Sequence, residues 1–218
     1  MDITTIVPIR AFQDNYIWCL RRGSTAVVVD PGDAAPVLEY LADEGLQFAA
    51  ILTTHHHGDY VGGNTALLAK YNVPVFCPAR EDIPGITRQL REGDALFSCG
   101  CGKLFEGTAM QMHSSLSKLA ALPGNTLVYC GHEYTLSNLR FARAADPDNA
   151  AIAQREASAR AALANGSPSL ASTIESELAA NPFLRSGNPA VATSASRFAG
   201  RKLDEAGRRV YNTAQVEG

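Results

Sequence analysis

Residues 48–60, FAAILTTHHHGDY, decide how this chain is read. The first five residues are an apolar, β-prone run, and the two threonines end it. Three histidines and an aspartate follow within five positions. In extended backbone alternate side chains share a face, so His55 and His57 fall side by side and Asp59 follows two positions on. Imidazole nitrogens and a carboxylate oxygen are the donor types that zinc and its first-row neighbours take. Solvated loop histidines are the plainer alternative. A cluster this dense, placed directly after a buried strand, favours a metal.

Working outward, TTIVPI, YIWCLRR and TAVVVD read as strands, and the third ends in the turn DPGD at 30–33. VLEYLADEG places Val37, Leu38, Tyr40 and Leu41 at helical spacing before a glycine stop, NTALLAKYN reads as a helix, and VPVFCP as a strand. This β-turn-α-β rhythm predicts a layered α/β domain, in which binding groups gather at the carboxyl ends of strands. The glycines of GDYVGGN mark backbone that turns sharply or runs close to something. Asn64 is the expected N-cap of the helix after it.

From about residue 108 the pattern turns helical in AMQMHSSLSKLAAL, with a strand in NTLVYC and a strand-end loop at GHEY. Beyond Asp146 the Ala-rich segments AIAQREASARAALANG and LASTIESELAANPF predict helices of a smaller C-terminal domain. The tail after Arg185 is weakly patterned and is expected to be irregular. The division expected is 1–135 and 136–218.

The 218 residues are 46% hydrophobic and 19% charged, with a net charge of −3. That balance supplies no basic footprint for nucleic acid and no polybasic membrane patch. The N-terminus does not read as a secretory signal, and no apolar run approaches a membrane span, so a cytoplasmic protein is expected. The five cysteines are odd in number and lack C-x-x-C spacing, which fits reduced thiols. Cys99 and Cys101 read as a tight glycine-containing loop in preference to a soft-metal pair. NGS at Asn165 matches a glycosylation acceptor by chance.

AFQDNYIW, DPGD, TTHHHGDYVGGN, GDALFSCGCGKLFEGT, YCGHEYTLSNLRFA and NPFLR together resemble glyoxalase II, the hydroxyacylglutathione hydrolases of the metallo-β-lactamase superfamily. The likeness runs to about Arg185. It implies an αββα sandwich with a small helical C-terminal domain. It also implies two divalent metal ions, zinc foremost with iron or manganese as alternatives, and an enzyme hydrolysing S-D-lactoylglutathione to glutathione and D-lactate in methylglyoxal breakdown. Carried over by position, His55 and His57 hold the first metal, Asp59 the second, Asp94 bridges both, and His132 completes the second site. These five would hold the hydroxide that attacks the thioester. Lys103 and Tyr134 match positions that hold glutathione, Phe105 an aromatic lining it, and Asn138 lies near that pocket. The resemblance implies a monomer with a small-molecule glutathione thioester as its partner.

Three departures bear on activity. The family reads H-x-H-x-D-H where this chain ends in Tyr60, and a neutral phenol is a poor substitute for imidazole. The chain is a few tens of residues short, as if two similar GD-x-L stretches had fused near 94–97 and a histidine-bearing loop between them were lost. His113 sits in a helical segment with no matching motif and is not a replacement ligand. The tail lacks the basic helix that helps hold the glutathione carboxylates, and Arg201 and Lys202 align too loosely to replace it. Reduced metal occupancy and impaired turnover are expected. The alternative is an inactive relic that binds glutathione without competent metals.

Overall fold

The computed structural model describes residues 4–78, 83, 85, 87–90, 96–101, 108–200, 202 and 203. The chain divides into two compact units, Met1–Gly93 and Asp94–Gly218. The division thus falls at 93/94, whereas the expectation from the sequence was 135/136.

The first unit is built on a six-stranded sheet: β1 (Thr5–Ala11), β2 (Asn15–Arg22), β3 (Thr25–Val29), β4 (Gln47–Leu52), β5 (Val75–Pro78) and β6 (Arg88–Leu90), in that spatial order. The first three strands form an antiparallel meander, and β3 through β6 run parallel. Parallel neighbours need crossovers. Helix α1 (Ala34–Asp43) supplies the first, and the short α2 (Gly58–Val61) with α3 (Asn64–Lys70) supplies the second. Ile17, Val28, Val37, Ile51, Leu67 and Val75 are fully buried in one core, as the strand alternation and helix spacing of these segments predict.

The second unit carries two small antiparallel pieces. One pairs β7 (Leu96–Phe97) with β8 (Gly100–Cys101). The other pairs β9 (Leu127–Val128) with β10 (Ser172–Thr173). The helices are α4 (Ala109–Ala120), α5 (Thr135–Ala145), α6 (Ala150–Ala164), α7 (Ile174–Ala180) and α8 (Pro189–Phe198). One apolar cluster joins Leu139, Ala142, Ile152, Ala159 and Ala180, and another joins Leu116, Phe183 and Val191. No helix among the described residues is long and apolar enough to cross a membrane.

Two expectations need correction. Gly63, not Asn64, is the N-cap of α3. Asn64 is its first residue, fully buried, with its amide turned to the Thr53 hydroxyl at 3.4 Å. The tail is not wholly irregular either. Asn188 caps α8 through the Ala190 amide, Pro189 opens it, and Val191, Ala192 and Ala195 are buried.

Cys99 and Cys101 occupy the β7–β8 hairpin, as the glycine-loop reading predicts, and Cys99 takes a positive φ of 56°. Every cysteine is a free thiol, and burial raises Cys99, Cys101 and Cys130 to about 12. The hairpin is held by buried polar groups. Glu177 accepts from the Cys99 amide at 2.8 Å, and Asn181 donates to Gly100 O at 3.0 Å and to Glu177 at 2.9 Å. Replacing Asn181 by Ala leaves a buried carbonyl and carboxylate short of a donor, which costs about 2 kcal/mol. Thermal unfolding of Asn181→Ala is expected to shift down by roughly 5 °C for a chain of this size.

Candidate metal centre

DPGD does four separate jobs at the end of β3. The Asp30 amide extends the parallel pairing by donating to Leu52 O at 2.8 Å, and its φ of 55° turns the chain out of the sheet. Pro31 O accepts from Gly63 N at 2.9 Å. Gly32 lies so close to the Asp59 carbonyl that a Cβ there would overlap it, and Asp33 caps α1 through the Ala35 amide. The opposing loop answers in kind. A Cβ on Gly62 would stand 2.6 Å from Gly32 O, and one on Gly63 2.5 Å from Pro31 O. The glycines are therefore required where two strand-end loops touch backbone to backbone.

This contact fixes the histidine segment. Thr53 N donates to Phe76 O at 2.8 Å, continuing the sheet, and the chain then leaves it through Thr54, His55 and His56. His57 has extended backbone and caps α2, its carbonyl accepting from the Tyr60 and Val61 amides. His55 Nε2 and His57 Nδ1 face each other at 3.1 Å. Two nitrogens bound to one tetrahedral zinc stand ~3.3 Å apart, given bonds of about 2.0–2.1 Å. Both the donor type and the spacing fit a first-row dication. Asp59 Oδ2 accepts from the Asn15 amide at 3.1 Å. Among the described residues no three of His, Cys, Asp and Glu come together as a metal-holding group. The expected bridge, Asp94, lies outside them, as do Lys103 and Phe105.

Tyr60, where the resemblance led to the expectation of a histidine, is only 6% exposed and packs its ring on His55, with centroids 4.1 Å apart. It acts as a wall for that imidazole.

In the second unit, His132 follows β9 in a loop, buried, and lies flat against the Tyr134 ring with centroids 4.5 Å apart. Glu133 between them accepts from the Ser169 amide at 2.8 Å and from its hydroxyl, which anchors the loop. Tyr134 is 38% exposed and begins α5. Asn138 uses its amide on Ser98 O at 3.0 Å, against the β7–β8 hairpin. His113 lies on α4.

Sequence reading passed over Asp30, Thr54 and Asn15 as site residues. Their signal was present: a carboxylate closing an apolar strand, and polar residues within quoted motifs. The Thr54 amide donates to Asp30 Oδ1 at 2.7 Å and its hydroxyl to Oδ2 at 2.9 Å. Burial raises the Asp30 carboxyl to about 7; the Thr54 bonds oppose the shift and the Asp59 charge adds to it.

The sequence profile described as hydroxyacylglutathione hydrolase C-terminus matches residues 133–208, and that of the metallo-beta-lactamase superfamily matches 12–92. The hydroxyacylglutathione hydrolase of Nitrosomonas europaea is 44% identical over 236 aligned positions, covering 92% of this chain and 90% of that one. That of Alkalilimnicola ehrlichii is 48% identical over 241, covering 93% and 94%. The chain belongs to the hydroxyacylglutathione hydrolase family. In fold it is similar to the BLEG-1 B3 metallo-beta-lactamase (TM-score 0.57, 20% identity, 84% of this chain and 99% of that one). Ninety-two per cent of 218 residues is about 200, fewer than the 236 positions aligned with the Nitrosomonas enzyme. The difference is sequence that the relative has and this chain lacks, which bears out the internal shortening. Residues 93–132, around the suspected fusion, fall between the two profile matches.

Unfolded aspartate titrates near 3.9, so between about pH 4 and 7 the folded chain holds a proton at Asp30 that the unfolded chain does not. That contribution is complete below pH ~4 and is lost as pH rises through ~7. Urea unfolding of the metal-free chain is expected to show an Asp30 contribution that falls by roughly 2–4 kcal/mol across this window, read as the difference between wild type and Asp30→Asn.

Proposed function

We propose that this chain is a metal-dependent thioester hydrolase that converts S-D-lactoylglutathione and water to glutathione and D-lactate. Identity of 44–48% to hydroxyacylglutathione hydrolases over more than 90% of the chain supports the reading. The observation that carries it is the facing pair of His55 Nε2 and His57 Nδ1. His55 and His57 would hold one divalent ion and Asp59 with His132 a second, with Asp94 shared. Zinc is foremost, and iron or manganese suit the same donors. Two such ions supply a water of lowered pKa and a polarised thioester carbonyl. The chain's own residues do the rest. Asn15 donates to the Asp59 carboxylate, Tyr60 packs on the His55 ring, and Tyr134 stacks on His132. Lys103, Phe105, Tyr134 and Asn138 are the residues for the glutathione moiety, although the Asn138 amide is also committed to Ser98 O. A thiolate is a good leaving group and needs little acid assistance.

Turnover is proposed to be weaker than in relatives with the full histidine set. Tyr60 occupies the place of an imidazole, and its contact with His55 favours a packing role. Purified chain reconstituted with zinc is expected to hydrolyse S-D-lactoylglutathione, and a chelator to abolish turnover while metal analysis shows the ions removed. Glutathione binding without turnover at saturating zinc would instead establish the inactive relic. Tyr60→His returns a nitrogen donor, and a higher zinc affinity in competition titration is expected, with faster turnover in the assay.

A further inference from the structure

The Thr54 hydroxyl stands between two partners, Asp30 Oδ2 at 2.9 Å and His55 Nδ1 at 2.9 Å. A hydroxyl has one proton to donate. Given to the carboxylate, it leaves the Thr54 oxygen only an acceptor's role towards the ring. His55 Nδ1 must then carry the hydrogen, and Nε2 keeps its lone pair. Nε2 is the nitrogen that faces His57 Nδ1. We propose that Asp30, acting through the Thr54 hydroxyl, fixes His55 in its Nδ1–H tautomer and so presents Nε2 as the metal donor.

Asp30 and Thr54 are thereby positioning residues. The inference deepens the metal-centre reading and rests on it for the part that concerns the cation. The acid cannot easily turn elsewhere. It is 8% exposed, its backbone is locked by the bond to Leu52 O and a positive φ, and Thr54 occupies both carboxylate oxygens. A purely structural role, pinning β3 to the histidine segment, would be served nearly as well by asparagine, which has the same shape. The two residues differ in proton direction. An asparagine amide would accept from the Thr54 amide and donate to its hydroxyl oxygen, and the hydroxyl would then donate to His55 Nδ1. The ring hydrogen would move to Nε2 and close the donor.

The test is long-range 1H–15N correlation of the histidine rings in the full metal-free chain at about pH 8.5. There Asp30, at about 7, is ionised and an ordinary imidazole is neutral. Wild type and Thr54→Ser are expected to show the Nδ1–H pattern for His55, and Asp30→Asn the Nε2–H pattern. Zinc competition titration should show about 10–100-fold weaker binding for Asp30→Asn, and near-wild-type binding for Thr54→Ser. Thr54→Val, which removes the acceptor, should lose the Nδ1–H preference, and it carries the test if Asp30→Asn does not fold. An Nε2–H ring in wild type, or an Nδ1–H ring retained in both Asp30→Asn and Thr54→Val, overturns the relay. If the tautomer reverses but zinc leaves the His55 resonances unmoved, the cation half is overturned, and with it the metal reading of His55.

Discussion

Backbone meets backbone where the DPGD turn lies against the segment from Asp59 to Gly63, and the side-chain geometry of the histidine segment depends on that contact. Side chains are excluded there, since a single methyl at Gly32, Gly62 or Gly63 would overlap the facing chain. The closeness lets one turn serve two strands at once. It caps α1, accepts a hydrogen bond from the Gly63 amide, and aims Asp30 at Thr54. The histidine segment leaves the sheet already tethered on both sides, by Thr53 to β5 and by Thr54 to β3. Ring orientation at His55 is therefore set largely by the protein, which lowers the ordering cost of binding an ion.

Much of this was legible in the residues. Period-two and helical patterns located the sheet and its crossovers, because the first unit buries one regular core and its sequence alternates accordingly. The alternation of His55 and His57 correctly predicted a side-by-side pair. The cap of α3 was misread because Asn64 has an attractive capping side chain, yet its amide is drawn to buried Thr53 and Gly63 fits the tight approach better. Tertiary burial outweighed local preference. The tail helix was missed because its buried face is made of Ala and Val, too weak a contrast for a periodic signal, although Asn188-Pro189 was a readable start. Asp30 and Thr54 escaped because short polar residues at strand ends look like turn formers, and only proximity shows what they bond.

Shortening and the tyrosine have different physical consequences. The aligned relatives are longer than this chain, yet Leu96–Cys101 forms a hairpin held by Asn138, Glu177 and Asn181. Buried polar groups satisfied by one another make a unique arrangement, since any displaced partner would leave a desolvated carbonyl or carboxylate. Helices of the second unit thus hold the hairpin in place through these hydrogen bonds.

Tyr60 illustrates how packing and ligation can separate at one position. An imidazole there would offer a nitrogen; the phenol offers more buried area and a ring face for His55. Burial of a large apolar side chain is worth about 1.5–3 kcal/mol when complete, so Tyr60 supports the local fold whatever it does to the proposed cation site. The His55 ring is packed by the Tyr60 ring. Order in the donor set and affinity for the ion are thereby set by different interactions. In the proposed centre Thr54 and Tyr60 bear on the first through their contacts with His55; the number of nitrogens and carboxylates within reach would govern the second.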